Sequence, residues 1–196
     1  MPLYENEFTF TRFEEMVKKY PRNAALVYLG ERFSYRFLSY LIDKFTTGLA
    51  GIGVKPGDKV MLYIPNCPQW VIANYAINKA GAAVIPVSPI YTAYEIEYMI
   101  KDAEVDTVIC LDTNFGYVQE VMAKTDLKNV IVTNLADLLP TWKKVIGTLF
   151  DKIPKGTTVK GKKRPEGSCP GHGSVGGLFH LVDENILEAR IHLFHA

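Results

Sequence analysis

Lys59-Val-Met-Leu-Tyr-Ile64 and Ala82-Ala-Val-Ile-Pro-Val87 are two short apolar segments separated by a segment of helical length. Neither alternates polar with apolar residues, which is typical of strands covered on both faces. Between them, Asn66 is predicted to cap a helix, Pro68 to stand just inside it, and Gly81 to end it in the left-handed conformation. A strand, a helix and a second strand in this order predict two parallel strands joined by a helical crossover.

The same alternation continues on both sides of this unit. The elements predicted before it are a helix at 9–20, a hairpin at 25–35, and a helix capped by Ser34 whose inner face is Phe37, Leu38, Leu41, Ile42, Phe45 and Leu49. The elements predicted after it are a helix begun by the capping box Thr92-Ala-Tyr-Glu95, a strand at 106–111, a helix at 115–124 and a strand at 129–133. This order indicates an α/β fold, a mainly parallel sheet with helices on both faces, followed by an irregular C-terminal tail.

Composition excludes several classes of site. The chain has 22 basic and 21 acidic residues and a net charge of +1, which argues against nucleic-acid binding through a basic surface. All four histidines follow residue 171, so the preceding part has no Ser-His-Asp triad and no histidine metal cluster. Three cysteines without a Cys-x-x-Cys pair favour a reducing, cytoplasmic location. We also expect no signal peptide and no membrane-spanning segment.

The chain becomes less regular after residue 133. The segment 135–150 is amphipathic, and it is interpreted as a packed surface helix, a lipid-contacting helix or a partner-binding helix. The basic stretch 152–164 is either a solvated linker or a patch for phosphate or anionic lipid. Together these patterns make 138–164 a candidate for peripheral membrane contact.

Two patterns in the tail have weak functional interpretations. Gly171-His-Gly-Ser-Val-Gly176 matches G-x-G-x-x-G, but no strand precedes it, so a flexible loop is favoured over a cofactor site. The set of Cys169, His172, His180, His192 and His195 fits no familiar zinc spacing. The segment 178–194 can be drawn as a helix without an evident core partner.

Four residues of the body are candidates for a site. Asn66, Ser88 and Asp112 follow predicted strands, at the edge where open α/β sheets bind ligands, although capping and turn formation also explain them. Cys67 lies at a strand-to-helix junction, where helix amides lower a thiol pKa. Without a histidine base in the body, packing explains this cysteine better than nucleophilic catalysis. We therefore predict no catalytic, cofactor-binding or metal-ligating residue in this chain.

Three segments of the body resemble a known family. They are Phe33-Ser-Tyr-Arg-Phe-Leu38, Gly53-Val-Lys-Pro-Gly-Asp-Lys-Val60, and Asn78-Lys-Ala-Gly-Ala-Ala-Val-Ile-Pro-Val-Ser-Pro-Ile-Tyr91 with the capping box that follows. They resemble the N-terminal part of the AMP-forming acyl-CoA synthetases, with Phe37 where that family usually has Glu. Residues 138–154 resemble the linker of members that act on fatty acids. The likeness predicts an N-terminal α/β subdomain over 1–155 and a separate basic linker and tail over 156–196.

The resemblance implies a reaction in two steps. ATP and a fatty acid give an acyl-adenylate and pyrophosphate, and CoA then displaces AMP, with Mg²⁺ as the metal. The family needs a Gly/Ser/Thr-rich phosphate loop ending in Lys, a magnesium-binding Glu, a ribose-binding Asp and a Lys on a C-terminal domain. No position of this sequence matches them. The resemblance therefore predicts an N-terminal fragment of a long-chain fatty-acid–CoA ligase, inactive alone and without a tightly bound cofactor.

Two alternatives stay open at this point. The first is an interaction module that associates with a separately made remainder, the missing C-terminal half. The second is an unrelated doubly wound nucleotide-binding protein, which is disfavoured because no strand of the body ends in a glycine-rich phosphate turn. A further hypothesis is that residues after about 160 are read from a shifted frame, which translation of the coding DNA in its other two frames would test.

Overall fold

A computed structural model describes residues 9–138 and 180–182 of the chain. Its helices are α1 (Thr9–Lys19), α2 (Tyr35–Gly51), α3 (Pro68–Lys79), α4 (Ala93–Asp102) and α5 (Phe115–Met122). Its strands are β1 (Ala24–Tyr28), β2 (Glu31–Ser34), β3 (Lys59–Tyr63), β4 (Ala83–Pro86), β5 (Thr107–Leu111), β6 (Asn129–Thr133) and β7 (His180–Val182). All helices and strands predicted between residues 9 and 133 are thereby confirmed. No helix in the described ranges is long and apolar enough to span a membrane.

The main sheet has five strands in the order β4-β3-β5-β6-β7. Its first four strands are parallel, as predicted, and β1 and β2 form a separate antiparallel hairpin. The prediction of an irregular tail, with a possible helix over 178–194, is wrong at residues 180–182. These residues pair antiparallel with β6, with Leu181 opposite Ile131, because β6 has a free edge on that side.

Helices cover both faces of the sheet and enclose two separate cores. On the first face, α1, α2 and α3 pack on strand residues such as Val60, Leu62 and Ile109. On the second, α4 and α5 pack on the intervening residues, such as Met61 and Val108. Alternate residues of one strand point to opposite faces, and both faces are apolar here, which explains the unbroken apolar segments in the sequence. We call these two surfaces the three-helix face and the two-helix face.

The inner face of α2 is confirmed except at its first member. Leu38, Leu41, Ile42, Phe45 and Leu49 are buried in the three-helix core. Phe37, predicted to join them, is 41% exposed. It lies in the first turn of α2, where Ser34 Oγ accepts a hydrogen bond from its backbone N–H at 3.2 Å, and its ring stacks on Phe33 of the hairpin at a centroid distance of 6.3 Å. The prediction fails there because the Phe37 ring packs on the hairpin rather than in the core.

Strand β4 is less buried than predicted. Ala83 and Pro86 are exposed, because within the described residues β4 lies at the edge of the sheet. The N–H groups of Ala83 and Val87 donate to carbonyls of the β3 segment at 2.7 and 2.9 Å. The backbone of the intervening residues, Val84 and Pro86, therefore faces the open edge. Proline lacks a backbone N–H, but at this position no strand of the described residues would accept one. Pro86 is therefore compatible with the sheet.

Gly81 ends the α3 segment in the left-handed conformation, as predicted, with φ of 77°. Its carbonyl accepts from the N–H of Gly57 at 2.9 Å. A Cβ at residue 81 would lie 3.0 Å from Cβ of Pro56, so both the backbone angle and the space require glycine. The turn at residues 55–58 thus packs directly on the start of β4.

Candidate functional site

The carboxyl ends of the parallel strands form the candidate site, which we call the carboxyl edge. It consists of the residues that follow β3 (64–67), β4 (87–92), β5 (112–114) and β6 (134–138). From β3 the chain continues first to β4 on one side and then to β5 on the other, so β3 and β5 flank the point where the strand order reverses. Open α/β sheets bind their ligands at this point.

The structure does not bring the three predicted edge residues together. Asn66 and Ser88 are exposed, and Asp112 is half-buried. Asp112 accepts hydrogen bonds from the backbone N–H of Thr113 at 2.9 Å and from Nδ2 of Asn134 at 2.6 Å. No hydrogen bond within the described residues joins any two of the three. The turn-forming interpretation accounts for Asp112.

The predicted cap of α3 is wrong by one residue. Cys67 is the N-cap, with extended backbone angles φ −147° and ψ 170°, and Asn66 precedes it. Pro68 is the first helical residue, as predicted. Because proline is favoured at the first helical position, it places the cap on the residue immediately before it, whichever side chain that residue carries.

The two described cysteines are buried free thiols. Burial raises the pKa of the Cys67 thiol, while the backbone N–H groups of Trp70 and Gln69 act in the opposite direction and do not outweigh it. The sequence-based idea of a lowered pKa at this helix start is therefore wrong, and the packed interpretation holds. Burial, followed by the charge of Asp112, also raises the pKa of the Cys110 thiol.

A polar network that the sequence did not predict is centred on Tyr63, at the end of β3. Its ring is fully buried in the two-helix core. Its hydroxyl donates to the carbonyl of Tyr91 and accepts from Nδ2 of Asn114 at 3.1 Å, and the same Nδ2 lies 2.8 Å from the carbonyl of Pro89. Burial is the largest cause of a raised Tyr63 pKa, and the bond from Asn114 opposes it. The network ties the loops after β4 and β5 to the end of β3.

A second missed network lies on the three-helix side and is centred on Gln69. This side chain is fully buried, and its Nε2 donates to the carbonyl of Asn134 at 2.8 Å. Its Oε1 has no hydrogen-bond partner among the described residues. Since Asn134 also bonds to Asp112, the network links the start of α3 to the ends of β5 and β6. A tyrosine or glutamine inside an apolar segment is the signal that could have found both networks, because such buried groups need partners.

The described residues do not fit the cofactors that the resemblance implies. Among residues 9–138 and 180–182 there is no group of three His, Cys, Asp or Glu side chains able to hold a metal ion. No turn of the carboxyl edge is rich in glycine, as a backbone cradle for ATP phosphates requires. What this edge can do chemically is hold its loops in place through amide and carbonyl groups. That the chain has no catalytic, cofactor-binding or metal-ligating residue stays a prediction.

Several sequence predictions fall outside the described residues. They are those for the amphipathic segment beyond Leu138, the basic stretch, the G-x-G-x-x-G match, and the set of Cys169, His172, His192 and His195. Only the backbone of His180 is described, as part of β7.

Comparison with known proteins places the chain among adenylate-forming enzymes. A family model described as AMP-binding enzyme matches residues 13–174, past the predicted domain boundary at 155. The long-chain-fatty-acid–CoA ligase of Escherichia coli O157:H7 is 34% identical over 145 residues, 73% of this chain and 25% of that protein. The ligase of the same name from Bacillus subtilis is 30% identical over 134 residues, 68% of this chain and 24% of that protein. The chain thus spans about a quarter of the length of these relatives.

Solved structures confirm the fold class. A long-chain-fatty-acid-CoA ligase from Archaeoglobus fulgidus superposes with a TM-score of 0.61 at 23% identity, over 66% of this chain and 28% of that one. Coronafacic Acid Ligase from Pectobacterium brasiliense gives 0.60 at 26% identity, over 63% of this chain and 25% of that one. The resemblance seen in the three sequence segments is therefore confirmed by a family match over most of the chain, and the chain belongs to the AMP-binding enzyme family.

Proposed function

We propose that this chain supplies the N-terminal α/β subdomain of a fatty-acid–CoA ligase and does not activate a fatty acid by itself. The complete reaction converts ATP, a fatty acid and CoA into acyl-CoA, AMP and pyrophosphate. One observation carries the proposal: the chain is 34% identical to a long-chain-fatty-acid–CoA ligase, but over only 25% of that protein's length. The carboxyl edge supports it, because the side chains of Asp112, Asn114 and Asn134 bond to other side chains and to the backbone of the fold.

In this proposal the chain positions other parts of the ligase and supplies no catalytic group of its own. Tyr63 holds the loops after β4 and β5, and Gln69 holds the start of α3 against the residue after β6. A rigid edge of this kind orients groups supplied from elsewhere in the ligase fold, and such positioning is a large part of enzymatic rate enhancement. ATP, Mg²⁺, CoA and the fatty acid then bind with the participation of residues outside the described ranges.

The test is ATP–pyrophosphate exchange with medium- and long-chain fatty acids. We expect the purified 196-residue chain to give no exchange above the buffer background, while the complete E. coli ligase, assayed in parallel, gives a clear signal. Exchange by the pure chain that depends on the fatty acid would overturn the proposed inactivity. It would leave the family assignment intact, since that rests on the sequence match.

A second candidate function, association with a separately made remainder of the ligase, is favoured by an exposed apolar patch. Ile90 and Tyr94 are each 82% exposed and Tyr98 is 67% exposed. Tyr94 and Tyr98 lie four residues apart on α4 and therefore on one side of it. An aromatic patch of this kind is typical of protein interfaces.

Co-purification tests this association directly. The chain is co-expressed with the remaining three quarters of the E. coli ligase, and the double variant Tyr94→Ser/Tyr98→Ser should lose the complex. A matched control is Tyr40→Ser, which removes a tyrosine that is 39% exposed on α2, and it should leave the complex unchanged. Failure of the unchanged chain to co-purify would count against the interaction module.

Two further expectations remain proposals. A cytoplasmic location is supported by the free thiols of Cys67 and Cys110 and is tested by cell fractionation. Peripheral membrane contact through 138–164 is tested by flotation with vesicles. The alternative of an unrelated nucleotide-binding protein has no support, because the chain matches the AMP-binding enzyme family over residues 13–174.

A further inference from the structure

A groove beside the β1–β2 hairpin is lined almost wholly by hydrogen-bond donors. Its volume is about 520 Å³, and its lining residues are Arg22, Asn23, Ala24, Arg32 and Ser34. We call it the hairpin groove. It is separate from the carboxyl edge, because none of its residues belongs to the turns that follow β3, β4, β5 or β6.

The backbone around the hairpin groove is held by several hydrogen bonds. Ala24 of β1 pairs with Ser34 of β2. The N–H of Tyr35 donates to the carbonyl of Asn23 at 3.0 Å, and the N–H of Arg36 donates to the carbonyl of Pro21 at 3.0 Å. Since these N–H groups of α2 already have partners, any ligand of the groove must be bound by side chains rather than by the helix start.

The charges of the hairpin groove are unbalanced. Arg22 and Arg32 are exposed, and neither forms an ion pair within residues 9–138 and 180–182. No carboxylate of the described residues lines the groove. By contrast, Arg12 on α1 pairs with Glu15 at 3.1 Å. Two guanidinium groups that share one groove repel each other, and an anion between them would relieve that repulsion.

The neutral lining residues complete a set of donors. Ser34 Oγ accepts from the N–H of Phe37, which leaves its hydroxyl hydrogen free to donate into the groove. The side-chain amide of Asn23 has two further N–H donors. Guanidinium forks match the oxygen pairs of phosphate in two-point contacts, and hydroxyl and amide groups donate to the remaining oxygens.

We propose that the hairpin groove binds a phosphate group, with Arg22 and Arg32 as its principal ligands. The shared chemistry is a phosphate oxyanion, which free phosphate or the headgroup of an anionic lipid can supply. Because the groove lies outside the carboxyl edge, this site does not depend on the proposed ligase function.

The first test is titration of the full ¹⁵N-labelled chain with inorganic phosphate, followed by NMR in a phosphate-free buffer. We expect saturable shifts of the backbone amides between residues 22 and 34. Arg22→Ala and Arg32→Ala should each weaken binding by about tenfold or more, as expected for loss of a charged hydrogen-bonding partner. Arg32→Lys keeps the charge but loses the fork, and it should bind with an affinity between those of the unchanged chain and Arg32→Ala.

The matched control is Arg36→Ala, which removes the same charge from an exposed residue that does not line the groove. It should change the affinity for phosphate by less than about threefold. An exposed charge outside the groove interacts with the bound phosphate only over a longer distance, and salt screens that interaction. Absence of saturable shifts, or an equal loss in Arg36→Ala and Arg32→Ala, overturns the proposal. Thermal melting of each variant shows whether a loss of binding reflects unfolding.

A second arm separates the two sources of phosphate. Sedimentation with phosphatidylglycerol vesicles, with phosphatidylcholine vesicles as the neutral comparison, should show binding that Arg22→Ala and Arg32→Ala abolish if the ligand is a lipid headgroup. Saturable binding of inorganic phosphate without sedimentation assigns the groove to soluble phosphate. Sedimentation that Arg36→Ala abolishes equally, and that phosphate does not compete with, overturns the specific site.

Discussion

The two faces of the sheet are built from the same strands. They differ in how much of the outer surface of their helices is covered by other elements. On the three-helix face, α1 packs over α2 and α3, with Phe13 against Tyr75 at a centroid distance of 4.8 Å. Lys79 of α3 adds ion pairs to Glu14 of α1 at 2.6 Å and to Asp43 of α2 at 2.9 Å. On the two-helix face, α4 and α5 bury one side each, and Tyr98 on the outer side of α4 is 67% exposed.

This difference shows which surface is complete within the described residues and which is open. Both cores consist of buried apolar side chains, so the openness of the two-helix face does not come from an exposed core. The difference lies one layer further out, where α1 covers its neighbours and nothing described covers α4. We therefore expect substitutions on the three-helix face to change stability and substitutions on the outer side of α4 to change association.

The largest effect is expected in the three-helix core. Phe45 is fully buried, so Phe45→Ala should lower the free energy of unfolding by about 3–5 kcal/mol through lost contacts and a cavity. The measurement is urea denaturation followed by circular dichroism. Phe37→Ala, at a position 41% exposed on the same helix, should lower it by less than about 1 kcal/mol. Equal losses would contradict the burial of one ring and the exposure of the other.

A smaller effect is expected at the end of β3. Tyr63→Phe leaves the Tyr91 carbonyl without its donor, which should cost about 1–3 kcal/mol in unfolding free energy. Tyr117→Phe is the control, because that ring is 44% exposed and its hydroxyl can bond to water. If both variants unfold at the same urea concentration, the Tyr63 network does not stabilise the loops.

The next effect depends on pH and concerns the start of α4. The Glu95 carboxylate accepts from the N–H of Thr92 at 2.8 Å and from its hydroxyl at 2.9 Å, and these bonds hold the pKa of Glu95 below its ordinary value. Because the folded-state pKa is the lower one, the stabilisation is complete above the unfolded-state pKa and is lost as pH falls through the folded-state pKa.

Glu95→Gln should therefore melt at a lower temperature than the unchanged chain at neutral pH. The difference between the two melting temperatures should shrink as the solution is acidified through the titration range of carboxylates. Calorimetry in matched buffers measures it. A difference that stays constant across that range would show that the charge of Glu95 does not contribute.

The smallest stability effect is expected on the open face. Tyr98→Ser removes a mostly exposed ring, so the free energy of unfolding should change by no more than about 0.5 kcal/mol. Solubility should rise, as measured by light scattering against concentration, because an exposed aromatic group is removed. A loss of stability comparable with that of Phe45→Ala would mean that α4 is covered by part of the chain after all.

Local patterns predicted most of the fold because each depends on neighbours in the sequence. The capping box at Thr92, the left-handed Gly81 and the Ser34 cap are contacts within three residues or single backbone angles, and all are present. Strand order, unlike these local features, depends on contacts between residues far apart in the sequence. The exposure of β4 follows from which strands flank it, and the strand's own composition does not contain that information.

The candidate site was harder to predict for the same reason. Asn114 meets the Tyr63 hydroxyl across 51 positions of the sequence, and Gln69 meets Asn134 across 65. The residue types signal that a buried partner is needed, but they do not say which residue provides it. Arg22 and Arg32 likewise face one groove only because the β1–β2 hairpin and the start of α2 bring them together.

Pro86 affects the tendency of this protein to aggregate through its open strand edge at high protein concentration. An open strand edge is a template on which identical chains can stack, and each exposed N–H offers one anchoring point. At the open edge of β4, the alternate positions are Val84 and Pro86, and the second has no N–H. A strand of a second molecule that pairs with this edge would therefore meet one backbone N–H donor, where a regular strand offers two. Within the described residues, this edge therefore offers fewer backbone donors for fibre-like growth than a regular strand edge does.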